Sequence, residues 1–246
     1  MSDGRTAVRF RADKVSSDND NTAPQRATTI EQYPARTKKR AVAMTEISSI
    51  DPTRAALIVL DMHVGVAGPG SDAGEHAEAQ NTVANIAGLL EVARANEVLV
   101  IHAHHRSATG VRPGGLLPPL FRELADDPDM QDSAADMAII AGLEPRDGEI
   151  VVHKERFGAF AGTGLDMILR AAAVDTIILT GTYTNLSVES TARYGADIGY
   201  RCVLAADALC SISAEWHDGA LEHGLSVICE IGSSAEVESA LGVAGR

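Results

Sequence analysis

Aromatic side chains are scarce in this chain: four Phe, four Tyr and one Trp among 246 residues. Apolar content is nevertheless ordinary at 45%, which excludes a fibrous or wholly disordered protein. No apolar run reaches the roughly 18 residues of a membrane helix, and no signal-peptide core is visible. Cysteine is limited to Cys202, Cys210 and Cys229, each in or beside an apolar segment. That usage fits buried, reduced thiols in a cytoplasmic protein rather than a disulfide framework. Basic charge is outnumbered over most of the chain. Residues 1–43 carry 9 Lys and Arg against 5 Asp and Glu, and the remainder carries 12 against 29. An acidic body excludes a nucleic-acid partner, which wants a basic face. It suits an enzyme acting on a small molecule.

At this length the chain is expected to form one large domain, 47–246, preceded by a flexible tail, 1–46. The tail lacks hydrophobic periodicity and should be dispensable for folding. Met44 is an alternative start, and Asp3, Asp13, Asp18 and Asp20 weaken a targeting role for the basic tail. The domain alternates strand and helix signals. Strands are expected at Ala55–Leu60, Val98–Ile101, Glu149–Val152, Thr176–Leu179, Cys202–Ala205 and Leu225–Cys229. Helices are expected around Val83–Ala93, Leu120–Leu124, Leu165–Ala173, Val188–Ile198, Glu215–His223 and Ala235–Leu241, with a loop at Arg112-Pro-Gly-Gly. Apolar, non-alternating strands between amphipathic helices indicate an α/β fold with a parallel sheet covered on both faces.

In such a sheet ligands bind at the carboxyl ends of the strands. Asp61 follows the first strand, Lys154 ends the third, and Ser187 follows a strand-turn-helix signal at Thr180-Gly-Thr-Tyr-Thr-Asn-Leu-Ser187. A carboxylate, an ammonium and a nucleophile at one strand edge can carry acyl transfer: the carboxylate takes the nucleophile's proton and the ammonium keeps that carboxylate ionised. Singly these residues read as a strand-end cap, a solvated lysine and a helix N-cap.

Taken together, Leu57-Ile-Val-Leu-Asp61-Met62, Lys154-Glu-Arg-Phe157-Gly-Ala-Phe160 and Thr180 through Val188-Glu-Ser-Thr-Ala-Arg193 resemble the isochorismatase-like cysteine hydrolases, over about residues 54–232. The resemblance implies a three-layer α/β/α, Rossmann-like, mostly parallel sheet of about six strands. It implies a catalytic triad at Asp61, Lys154 and residue 187. It also implies a cis peptide at Thr182-Tyr183, an oxyanion hole from the Tyr183 and Ser187 N–H groups, no cofactor and a homo-oligomer. Phe157, Phe160 and Tyr183 are candidate pocket walls, with core packing the alternative for the two Phe. His104 and His105 are candidate pocket lining, with solvated loop positions the alternative. The metal-binding members carry an Asp-x-His with further histidines before the lysine. His102, His104 and His105 sit near one such position, but a matching Asp-x-His is missing from that stretch, so no metal is expected.

The chain departs from the family at Ser187, where cysteine is usual. A thiol ionises near pKa 8.5 and an alkyl hydroxyl nearer water's roughly 15.7. Three readings stay open: a Cys→Ser replacement that blocks acyl transfer, a natural serine using other chemistry, or a binding module with a dead pocket. The expected function is hydrolysis of a C–N bond in a small amide, carbamoyl or ureido compound. The alternative enzyme is an isochorismatase-type vinyl ether hydrolase, with Asp61 as general acid and Ser187 a bystander.

Overall fold

Six strands form one parallel sheet in the order β3-β2-β1-β4-β5-β6. The computed structural model describes residues 46–106, 118–124 and 135–242. The loop expected at Arg112-Pro-Gly-Gly and all of the expected tail but Glu46 lie outside them. The strands are β1 (Ala55–Leu60), β2 (Leu99–His105), β3 (Ile150–Lys154), β4 (Thr176–Thr182), β5 (Arg201–Cys210) and β6 (Glu230–Gly232). Every residue of β1 and β4 is buried, as unbroken apolar runs in a doubly covered parallel sheet require.

The helices that cover it are α1 (Val64–Ala67), α2 (Gly74–Ala79), α3 (Thr82–Ala95), α4 (Pro119–Leu124), α5 (Leu165–Ala171), α6 (Glu189–Asp197), α7 (Ala214–His223) and α8 (Ser234–Gly242). One apolar cluster joins Ile58, Leu60 and Ile177 of the sheet to Leu165, Leu169, Ala192 and Leu221 of α5, α6 and α7. The other joins Leu57, Val59 and Ile178 to Ile86, Leu90, Val237 and Leu241 of α3 and α8. The sheet is therefore the middle of three layers, as expected.

One expected strand is misplaced. Leu225–Cys229 is apolar enough for a strand, but Leu225–Val227 forms a 3₁₀ turn and the strand is Glu230–Gly232. The N–H of Cys229 bonds the Leu225 carbonyl at 2.9 Å, which turns both side chains inward, 8% and 0% exposed. A spacing of four on one turn satisfied their burial without extended backbone. The other differences are at strand ends. β2, β3, β4 and β5 continue past their expected ends, over His102–His105, His153-Lys154, Thr180–Thr182 and Ala206–Cys210, the first three of them mainly polar. The β3 extension carries Lys154 and the β2 extension carries His105.

The chain leaves β1 toward β2 and β3 on one side and returns to β4 on the other. The reversal opens a crevice beyond the carboxyl ends of β1 and β4. Here the two strands run so close that a Cβ on Gly181 would lie 2.1 Å from the Leu60 carbonyl oxygen, and Gly181 has φ of 104°. Both crowding and backbone conformation demand glycine. Gly181→Ala is therefore expected to abolish soluble, cooperatively folding protein, with a cost above about 3 kcal/mol. A thermal melt within a few degrees of the parent would contradict this.

Candidate active site

Asp61 is the first residue after β1, and its backbone sits at φ 50°, a region that Asp enters more readily than most residues. Its N–H bonds the Ala103 carbonyl at 3.1 Å, tying the bend to β2. Lys154 is the last residue of β3. Ser187 lies in a single π turn, Thr184–Val188, that links β4 to α6. Such a turn places one extra residue in the backbone ladder, a feature found often at functional sites. The peptide bond between Thr182 and Tyr183, just before the turn, is cis.

The three side chains meet. Asp61 Oδ2 lies 2.6 Å from Ser187 Oγ and 2.6 Å from Lys154 Nζ. Asp61 Oδ1 accepts the His105 backbone N–H at 2.6 Å. All three are nearly sealed: Asp61 is 7% exposed, Lys154 2% and Ser187 3%. Burial by itself would raise the Asp61 carboxyl. The Lys154 ammonium, and hydrogen bonds from Lys154 and Ser187, outweigh it and hold the carboxyl below the ordinary range. Ser187 has one hydroxyl proton and two acceptors in reach, Asp61 Oδ2 and the Phe157 carbonyl oxygen at 2.8 Å. Lys154 Nζ also donates to the Arg156 carbonyl at 3.3 Å.

The candidate pocket residues divide. Phe157 stacks on Phe121 of α4 with centroids 4.5 Å apart, and Phe121 stacks on His105 at 5.3 Å with planes 3° apart. Phe157 and His105 also contact Ser187 and Asp61 through their main chains, so this aromatic pile adjoins both side chains. Phe160 goes elsewhere. It is 5% exposed and stacks on Tyr194 and Tyr200 in the core under α5 and α6, so core packing is its role. Tyr183 leans on the opposite apolar cluster, and burial pushes its phenol up. His104 is buried on the other side of β2 from His105. It faces His63 edge-on at 5.2 Å and His102 at 5.7 Å. Desolvation, with His63 nearby, lowers it to about 3, so it is neutral. Among the described residues no three His, Cys, Asp or Glu side chains are placed to hold a metal ion.

Sequence reasoning missed Phe121, His63 and the two main-chain contacts. A carbonyl or amide aimed at a side chain leaves no mark in residue type, and Phe121 read only as part of a short helix.

At the foot of β3 the Glu149 carboxylate receives Arg94 Nε at 2.7 Å and Nη2 at 3.1 Å, the Arg146 N–H at 2.8 Å and His102 Nε2 at 3.0 Å. Burial would raise it, but these donors bring it down to about 2. A carboxyl lowered on folding contributes stability that is present above its unfolded pKa, about 4.3, and lost as pH falls toward the folded value. The protein is therefore expected to lose stability between about pH 4.5 and 2. Glu149→Gln should cost about 1.5–3 kcal/mol at pH 7 and flatten that acid limb. An unchanged limb in urea melts would contradict the assignment.

Comparison with known proteins gives the same direction. The isochorismatase domain description matches residues 55–236. The uncharacterized isochorismatase family protein YecD of Escherichia coli O157:H7 is 41% identical over 101 residues, which is 41% of this chain and 54% of that protein. The match thus spans about half the length of that relative. Ureidoacrylate amidohydrolase RutB of Methylobacterium radiotolerans is 32% identical over 221 residues, 83% of this chain and 86% of the relative. Among solved structures, a cysteine hydrolase from Pseudomonas syringae pv. phaseolicola 1448A superposes with a TM-score of 0.67 at 28% identity, covering 82% of this chain and 98% of the other. With the domain matched over most of its length and the parallel sheet in place, the chain belongs to the isochorismatase family of hydrolases.

Proposed function

We propose that the protein hydrolyses a C–N bond in a small amide, carbamoyl or ureido compound, with Asp61 as general base, Lys154 as its electrostatic partner and Ser187 as nucleophile. One observation carries the reading: a single carboxylate oxygen lies 2.6 Å from both the hydroxyl and the ammonium, at the strand ends where this sheet topology opens a crevice. The 32% identity to a ureidoacrylate amidohydrolase supports the ureido class.

In this mechanism Ser187 Oγ attacks the acyl carbon while its proton passes to Asp61. The N–H groups of Tyr183 and Ser187 steady the oxyanion. The C–N bond then breaks, and Asp61 returns the proton to the leaving nitrogen. Water then hydrolyses the resulting ester: Asp61 takes the water's proton and passes it to the departing Ser187 Oγ, which restores both groups. Lys154 holds Asp61 ionised in its resting state. The ring pile of His105, Phe121 and Phe157 walls the acyl side. A homo-oligomer rests on the family resemblance and a cytoplasmic setting on the three unpaired cysteines; sedimentation tests the first.

A second reading draws on the weak nucleophilicity of a serine hydroxyl. In it Asp61 protonates a vinyl ether carbon as general acid and Ser187 is a bystander. The low-lying Asp61 carboxyl argues against a resting general acid. Turnover of ureido acids, carbamoyl acids, simple amides and an enol-ether cyclohexadiene by the chain as it stands separates the two. C–N cleavage supports the proposal. Cleavage of the enol ether alone supports the second reading, and binding without turnover indicates a dead pocket.

A further inference from the structure

Behind the π turn lies a second buried polar cluster that the reaction does not touch. His217 of α7 is 3% exposed, and its Nδ1 lies 2.8 Å from Thr184 Oγ1, on the first residue of the turn. Thr184 Oγ1 is also 3.0 Å from the Cys210 carbonyl at the end of β5. On the far side of the imidazole, Gln80 Nε2 lies 3.4 Å from His217 Nε2 and 3.0 Å from the Leu209 carbonyl. The Leu209 carbonyl can only accept, so it fixes which end of the Gln80 amide points inward. Gln80 therefore donates to His217 Nε2, and the proton of the neutral imidazole is on Nδ1. Thr184 Oγ1 accepts that proton's hydrogen bond and gives its own proton to Cys210. Burial, with His76 5.0 Å away between ring centroids, lowers His217 to about 4, which keeps the ring neutral. The next residue is held in the same way: Ser211 Oγ donates to Asn185 Oδ1 at 2.5 Å, and the Ser211 N–H donates to His76 Nδ1 at 3.2 Å.

We infer that His217 is a positioning residue: through the one-way chain Gln80 to His217 to Thr184 to Cys210, it sets where the turn presents residue 187 to Asp61. The inference rests on the proposed role of that turn. Every link has a defined donor and acceptor, so the turn has one hydrogen-bonded position relative to β5 and α7. Without the Nδ1–H, Thr184 keeps its bond to Cys210 but loses the restraint from α7.

The test uses the thiol introduced by Ser187→Cys as a reporter. Its rate of alkylation by iodoacetamide is measured against pH, with peptide mapping to separate it from the buried Cys202, Cys210 and Cys229. His217→Asn keeps a donor near the Nδ1 position. His217→Gln and Thr184→Val remove the link. In the last two the alkylation midpoint is expected to move up by about one unit as the thiol drifts from its setting. The kcat for C–N cleavage should fall at least about tenfold with KM nearly unchanged, the mark of an interaction used only in the reaction. The double variant should lose no more than either single one. His217→Asn should stay within about threefold of the parent. If His217→Gln does not fold, Thr184→Val carries the test alone. An unmoved midpoint in the link-breaking variants, or an equal shift in His217→Asn, overturns the inference. A midpoint that moves as expected while no variant cleaves a C–N bond leaves His217 positioning the turn and refutes the proposed reaction instead.

Discussion

Ser187→Cys is expected to raise C–N bond hydrolysis by about 10³- to 10⁴-fold. The hydroxyl must lose its proton to a carboxylate held below its ordinary range, which is a weak base. A thiol ionises about 7 pKa units more readily than an alkyl hydroxyl. Its anion is also the weaker nucleophile, and with a Brønsted slope near 0.5 about half of that advantage is lost. The remaining 3–4 units set the expected gain. The thiol would stand where Asp61 Oδ2 and the Phe157 carbonyl already flank the hydroxyl. Adding Asp61→Asn should remove the gain, because the thiol then loses its proton acceptor. Steady-state rates on a ureido acid give the answer. A Ser187 chain as fast as its Ser187→Cys variant would refute the base role of Asp61.

The second large effect is on the buried ion pair. Lys154 is 2% exposed and its ammonium meets Asp61 at 2.6 Å. Removing one partner strands the other's charge away from water, which typically costs about 3–5 kcal/mol. Lys154→Met and Asp61→Asn should each destabilise by about that amount, and each should lower activity at least about 10³-fold. Asn is the right probe at 61 because it tolerates the φ of 50° that most residues avoid. The double variant should recover a good part of the stability and none of the activity, since it removes the stranded charge but not the need for a base. Urea melts of the four proteins give the coupling directly. A double variant as unstable as the sum of the singles would mean the pair does not interact. The contribution of Asp61 also has a sign in pH. Its carboxyl is lowered on folding, so the stability it contributes is present above its unfolded pKa and lost as pH falls through the folded one.

Much of this was legible because the relevant positions carry simple signals. Six apolar residues ending at Asp61 can hardly be anything but a buried parallel strand with a carboxylate at its tip. Gly181 before a run of small and polar residues marks a strand-to-helix turn. The sheet edge then brings Asp61, Lys154 and Ser187 together across 126 residues of chain. What stayed illegible was set by tertiary context. Leu225 and Cys229 have strand-like composition, yet one 3₁₀ turn buries both. Phe157 and Phe160 are three residues apart and look equivalent, but only Phe157 joins the ring pile while Phe160 fills the core. The His105 amide and the Phe157 carbonyl hold Asp61 and Ser187 by backbone atoms, which any residue would supply. His217 reads as an ordinary polar residue of an amphipathic helix, and only its neighbours give it a direction.

The central claim is that residue 187 attacks an acyl carbon with Asp61 as its base. It is tested most directly by mass mapping of the Ser187→Cys protein, quenched during turnover of a slow ureido or carbamoyl acid. An acyl group on the peptide carrying residue 187, absent from the Ser187→Cys/Asp61→Asn double variant, is the expected result. An unmodified residue 187 during active turnover, with Ser187→Ala as active as the parent, would contradict it and transfer the chemistry to Asp61 acting as an acid.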